Sequence, residues 1–143
     1  MVRTFRSTYF GEIRFEPESV VELPAGIPGF EDIKSFMIIA CPDHPALVFL
    51  QSLDHADLCF LAMPVEQVRP DYQLHIAEED LETLGACGPH EPLRALAMLS
   101  LAEGKAPTAN LLSPIVIHTG TMRAVQAIRP DNRYTCQEAL PCS

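Results

Sequence analysis

The residues best equipped for chemistry in this sequence are cysteines and histidines. "CPDH" supplies Cys41 and His44, and "CGPH" supplies Cys87 and His90. Two Cys-x-x-His pairs resemble the half-sites of a zinc centre, which takes four such ligands in a tetrahedron. The gap between the pairs is far longer than in a short zinc finger, and each pair straddles a proline turn. Histidines beside turns need no metal to explain them. The four therefore read as loop residues and no cofactor is expected, with a small metal-binding or hydrolytic barrel as the alternative.

Other catalytic groupings are weaker. In "LDHAD", Asp54 and Asp57 flank His55. That trio could move protons, yet it is more economically a polar loop between two strands. Ser52, Ser100 and Ser113 lie in or next to apolar strands without an assignable His and Asp. No G-x-S-x-G elbow is present,. Nothing here points to an enzyme.

Two stretches are better suited to contact than to catalysis. "LPAGIPGFE", residues 23–31, packs two prolines and two glycines ahead of Phe30 and Glu31. A phosphate loop would open a helix and be followed by a lysine and a hydroxyl. Negative charge follows instead, so the stretch reads as a rigid corner. Gly26 and Gly29 can take positive φ, Pro28 fixes its own, and Ile27 is pushed extended by the proline after it. The second stretch, "AEEDLETLGACG", predicts a helix. Glu78, Glu79 and Asp80 fall in its first turn, where the helix dipole favours them, and Gly85 or Gly88 can stop it,. With Glu82 these acids form either a solvated face or a docking face for a basic partner.

The elements that must carry these residues are mostly strands. "FGEIRF" alternates, with Ile13 and Phe15 on one side and Glu12 and Arg14 on the other, and residues 20–23 return as a second strand,. Apolar runs at 36–41, 46–52 and 58–63, separated by turns, predict a meander, with Cys59 read as a small core hydrophobe,. "NLLSPIVIHTGTMRAVQAIR" predicts a hairpin turning at Thr119-Gly120, and Pro114 demands an edge, a bulge or a strand start,. In "PLRALAMLSLAE" propensity favours helix, while the leucines and alanines also follow period two,.

The chain has 143 residues, about one domain, with 48% hydrophobic and 20% charged residues, so it is globular rather than disordered,. Its formal net charge of -9 disfavours direct nucleic-acid binding and would speed encounter with a basic protein,. Five cysteines, an odd number, argue against a disulfide framework,. The sequence shows no signal peptide and no run long enough for a membrane span, so the expected location is the cytoplasm,.

Four blocks, in order, resemble the FliW family of flagellar assembly factors: "FGEIRF", "LPAGIPGFE", "LQSLDHADLCF" and "TANLLSPIVIHT". Gly26, Pro28, Gly29, Asn110, Leu111 and Pro114 carry much of the likeness, which is strongest over 10–128 and loose from about 130. The chain is thus expected to be one FliW-like domain over 1–143. The resemblance implies a mainly β, small barrel-like folded sheet of short strands with one or two short helices, and it makes 93–101 a strand. It also implies partners: flagellin, and the RNA-binding translational regulator CsrA, which such a factor keeps off flagellin mRNA until flagellin competes for it. A flagellin-specific chaperone without the CsrA arm is the alternative. On this reading Phe30, Glu31, Glu78, Glu79, Asp80 and Glu82 are the candidate partner-binding residues.

Overall fold

Alternation of apolar and polar residues begins at the third residue. In the computed structural model, which describes residues 2–27, 30–86, 92–101, 104–128, 130–131 and 133–140, strands β1 (Arg3–Ser7) and β2 (Gly11–Phe15) form an antiparallel hairpin. Phe5 stands opposite Ile13 there, and Gly11 takes φ +69° at the end of the turn. The Thr4–Phe5–Arg6 alternation of β1 carries the strand signal,.

Strands β3 (Val21–Glu22), β4 (Ser35–Ala40), β5 (Val48–Ser52) and β6 (Cys59–Pro64) pair antiparallel in sequence order, as the meander requires. A single helical turn, α1 (Val65–Val68), follows the proline that ends β6, and α2 (Glu78–Leu84) follows a longer connection. Gly85, at φ +75°, ends α2 by sending its N–H back to Glu82 O, while Ala86 N–H reaches Leu81 O,.

The remaining strands are β7 (Leu93–Ser100), β8 (Thr108–Ala109), β9 (Ile115–His118), β10 (Arg123–Gln126) and β11 (Glu138–Ala139). β7 is a strand, as the family resemblance implies, and not the helix that its leucine and alanine content favours. It meets β6 along one edge, while its other edge is shared by β9 at the first half and β8 at the second. Three partners outweigh a propensity difference of a few tenths of a kcal/mol per residue. The second helix is therefore α1, at 65–68, rather than one over 92–103.

With β9 paired to β10 and β10 parallel to β3 at Arg123 and Glu22, seven strands close into a ring: β3, β4, β5, β6, β7, β9, β10. Period two then sorts side chains into two cores. Val21, Phe36, Leu50, Ala62, Leu96, Ile115 and Ile117 pack inside the ring,. Met63, Ala95, Ala97, Val116 and Val125 face outward and are covered by Val65 and Val68 of α1, Leu84 of α2, Leu111 and Tyr134. The space left among Ile27, Ile33, Phe36, Leu50, Ser52, Phe60 and Ile115 is about 10 Å³, room for no ligand,.

The β9–β10 turn departs in detail from expectation. It spans residues 119–122, and its left-handed residue is Met122, at φ 59°, not Gly120. Gly120 serves differently: a Cβ there would lie 2.8 Å from His118 Cε1, whose ring accepts the N–H groups of Gly120 and Thr121 at Nδ1. Pro114 lies just before Ile115, the start of β9, as its missing N–H requires,.

Candidate partner-binding groove

The corner that follows β3 plugs one end of the ring. Gly26 N–H donates to Leu23 O at 2.9 Å, and Ile27 and Phe30 exchange backbone hydrogen bonds across the tip. Pro28 and Gly29 lie outside the described residues. Ile27 and Ile33 point inward and are buried. Gly26 has φ +71°, and a Cβ on it would meet Glu31 O at 2.6 Å, so only glycine fits,. The corner reading therefore holds for Gly26.

Phe30 remains 42% exposed, with its ring edge-on to Phe60 at a centroid distance of 5.9 Å. An aromatic fixed on one face and open on the other is a suitable contact residue. Next to it the chain turns Glu31 into a groove of about 330 Å³ lined by Ala25, Gly26, Glu31, Asp80, Thr83, Val125 and Gln126. The two stretches singled out from the sequence, the corner and the acidic helix, thus meet across β10. α2 is held in place by Leu84, fully buried, and by Thr121 Oγ1–H, which donates to Leu84 O at 2.7 Å.

Of the helix acids, only Asp80 lines the groove. It is half-buried, and burial, reinforced by the charge of Glu79, pushes its carboxyl above the ordinary value of 3.8,. Glu78, Glu79 and Glu82 are exposed on the helix surface. Thr83, Gln126, Ala25 and Val125 complete the walls. No sequence signal marked them, because their role depends on how β10 packs against α2. Among the described lining residues there is no lysine or arginine, and Glu31 and Asp80 supply negative charge beside Ala25 and Val125.

The other expected site residues are placed differently. Asn110 Oδ1 accepts the N–H groups of Leu112 and Ser113, at 3.1 and 2.9 Å, closing the turn before β9,. Leu111 is fully buried, its N–H donates to Thr135 O, and its carbonyl accepts the Tyr72 hydroxyl at 2.7 Å. Pro114 O accepts Ala127 N–H. These family-motif residues build the fold. The "LDHAD" segment is likewise a hydrogen-bonded loop: Ser52 Oγ accepts the N–H groups of Asp54 and His55, and Asp54 Oδ2 accepts those of Lys34 and Ser35.

Among the described residues no three His, Cys, Asp or Glu side chains are grouped to hold a metal. Cys87 and His90, and with them the four-ligand alternative, lie outside those residues. Cys41, Cys59 and Cys136 are free thiols. Cys59 is not the core hydrophobe expected: it is half-buried on the outer face of β6, and burial raises its thiol above the ordinary value. It lines a second groove, of about 380 Å³, with Tyr9, Phe10, Phe49, Leu61 and Leu101. Among the described residues no helix is long and apolar enough to cross a membrane.

Comparison with known proteins covers nearly the whole chain. The family described as "FliW protein" matches residues 4–140, reaching further toward both ends than the four sequence blocks. The flagellar assembly factor FliW of Syntrophomonas wolfei subsp. wolfei is 33% identical over 94% of this chain and 86% of its own length. That of Azoarcus sp. is 34% identical over 94% of each. A crystal structure of the flagellar assembly factor FliW superposes with a TM-score of 0.87 at 26% identity, covering 98% of both chains.

Proposed function

The chain belongs to the FliW family, and from that membership we propose that it works as a cytoplasmic flagellar assembly factor through protein contact, without catalysis. It binds flagellin and, in its absence, the regulator CsrA, keeping CsrA off flagellin mRNA. Rising flagellin then displaces the regulator, which couples translation to export. Such a switch needs two differential affinities and no reacting group.

One observation carries this reading. The corner and the acidic helix, remote in sequence, form one groove in which Glu31 and Asp80 supply charge, and Phe30, next to Glu31 in the chain, is exposed. A basic, RNA-binding partner meets such a surface quickly and in a salt-dependent way. A preformed loop also costs little ordering entropy on binding.

Calorimetric titration with the flagellin and then the CsrA of the same host, each at low and high salt, tests the proposal. Binding of both, with salt weakening the CsrA arm more, is the expected result. Binding of flagellin alone reduces the protein to a dedicated chaperone. Binding of neither removes the proposal.

A further inference from the structure

Between β5 and β6 the chain makes a loop that holds two otherwise separate parts of the molecule. Toward the corner, Asp54 Oδ2 accepts Lys34 N–H at 2.7 Å and Ser35 N–H at 3.0 Å, and Leu53 N–H donates to Ser35 O. His55 Nε2 stands 2.6 Å from Asp32 Oδ2, an exposed contact that holds the Asp32 carboxyl below its ordinary range. Toward the β1–β2 hairpin, Ala56 O accepts Thr8 N–H at 3.0 Å, and Asp57 O accepts the Tyr9 hydroxyl at 2.7 Å.

The two sides are joined through buried groups. Gln51, fully buried, donates from Nε2 to Ser52 O at 2.9 Å and Leu58 O at 3.1 Å, with Ala56 O at 3.3 Å. Its Oε1 accepts the Ser7 hydroxyl at 2.7 Å. Ser7 Oγ in turn accepts the N–H groups of Tyr9 and Phe10. β1 and β2 share no ladder with the ring, so these bonds, with the Phe10–Phe49 edge contact at 5.1 Å, tie the hairpin tip to the rest. The corner, the loop and the hairpin tip therefore share one continuous hydrogen-bond network with a buried amide at its centre. Displacing the buried Gln51 amide would leave the Ser7 hydroxyl and the loop carbonyls it bonds poorly satisfied,.

We propose that the 51–58 segment locks the hairpin tip and the chain from Phe30 to Ser35 into one cooperative unit that opens together. Ser7 and Tyr9 are then positioning residues for Phe30 and Glu31, which they do not touch. Under the proposed function, whose reading this consequence rests on, anything that loosens the hairpin tip weakens binding at the groove. By linkage, a partner seated in the groove also orders the hairpin.

The test uses amide hydrogen exchange on the free full-length protein, so its outcome does not depend on which partner binds. Replacing Gln51 risks unfolding, so two exposed contacts are cut instead, one on each side: Tyr9→Phe and His55→Ala. Tyr9→Phe is expected to speed exchange at Lys34 and Ser35, and His55→Ala at Thr8, Tyr9 and Phe10. The expected rise is roughly twofold to fivefold, the scale of losing one solvent-accessible hydrogen bond. Ile117 and Val125, in the β9–β10 hairpin, should keep their wild-type rates. Acceleration confined to the substituted side overturns the proposal, as does a uniform rise that includes Ile117 and Val125. The expected exchange pattern in both variants, together with no affinity of the wild-type protein for flagellin or CsrA, would leave the lock standing and remove the groove reading.

Discussion

Two loops rich in family-motif residues, 108–114 and 23–31, end in opposite situations. In the first, the Asn110 carboxamide, both backbone groups of Leu111 and the Pro114 carbonyl are all consumed by partners within the chain. In the second, the Leu23, Gly26, Ile27 and Phe30 N–H groups are likewise tied within the chain, but Phe30 is exposed over one face and Glu31 lines a groove. Motif character thus does not separate a residue that builds the fold from one that faces outward, whereas exposure does. The first loop is a joint between two layers of the fold. The second is a joint whose outer surface is left open.

Substitutions can break or sharpen this contrast. The largest effect belongs to Leu111→Ala, which empties a fully buried site in the outer core and should cost about 2–5 kcal/mol in denaturant unfolding,. The fraction that remains folded should bind partners with wild-type affinity. Gly26→Ala comes next, because the new Cβ meets Glu31 O at 2.6 Å on a backbone of φ +71°. A cost of roughly 1–3 kcal/mol is expected. Since the displaced residue is Glu31, titration of this variant should also show weakened CsrA binding. That joint loss is what distinguishes the second loop from the first.

Asn110→Ala removes the acceptor for two N–H groups and should cost about 1 kcal/mol by the same unfolding assay, with binding unaltered,. Loss of CsrA binding there, without unfolding, would erase the contrast. The smallest change in stability is expected for Asp80→Asn, within about 0.5 kcal/mol at neutral pH, and in the stabilising direction. The sign follows from the raised carboxyl. A group whose folded value lies above the ordinary 3.8 contributes most below 3.8 and loses that contribution as pH rises through the folded value,. Removing the charge therefore helps at neutral pH, and the advantage should vanish as pH falls toward 3.8. Thermal melts of both proteins across pH 3–8 give the comparison.

Much of this arrangement is legible in the sequence, and the rest is not for identifiable reasons. The acidic first turn and the terminating glycine announce α2, and the apolar runs between turns announce the β4–β5–β6 meander, because both signals are local. β7 misleads because Leu, Ala and Met favour helix in isolation, while ring closure through β6, β8 and β9 decides the matter from a distance,. α1 is one turn long, too short for periodicity to reveal. Cys59 sits in an apolar strand, but its parity turns it outward, a fact fixed only by the register of β5 with β6,. Glu31 and Asp80 each appear in a recognisable stretch. That they line one groove is a consequence of α2 packing on β10, which no local pattern encodes.

The most direct test of the account is a titration of CsrA into a variant carrying both Glu31→Gln and Asp80→Asn, at low and high salt. Wild-type protein and Asn110→Ala serve as references. The expected result is a melting temperature unchanged within a degree or two, at least about tenfold weaker binding at low salt, and loss of most of the salt dependence. Asn110→Ala should bind as wild type does. An affinity and salt slope in the doubly neutralised variant equal to those of the wild type would contradict the account and place the regulator's contact elsewhere on the surface.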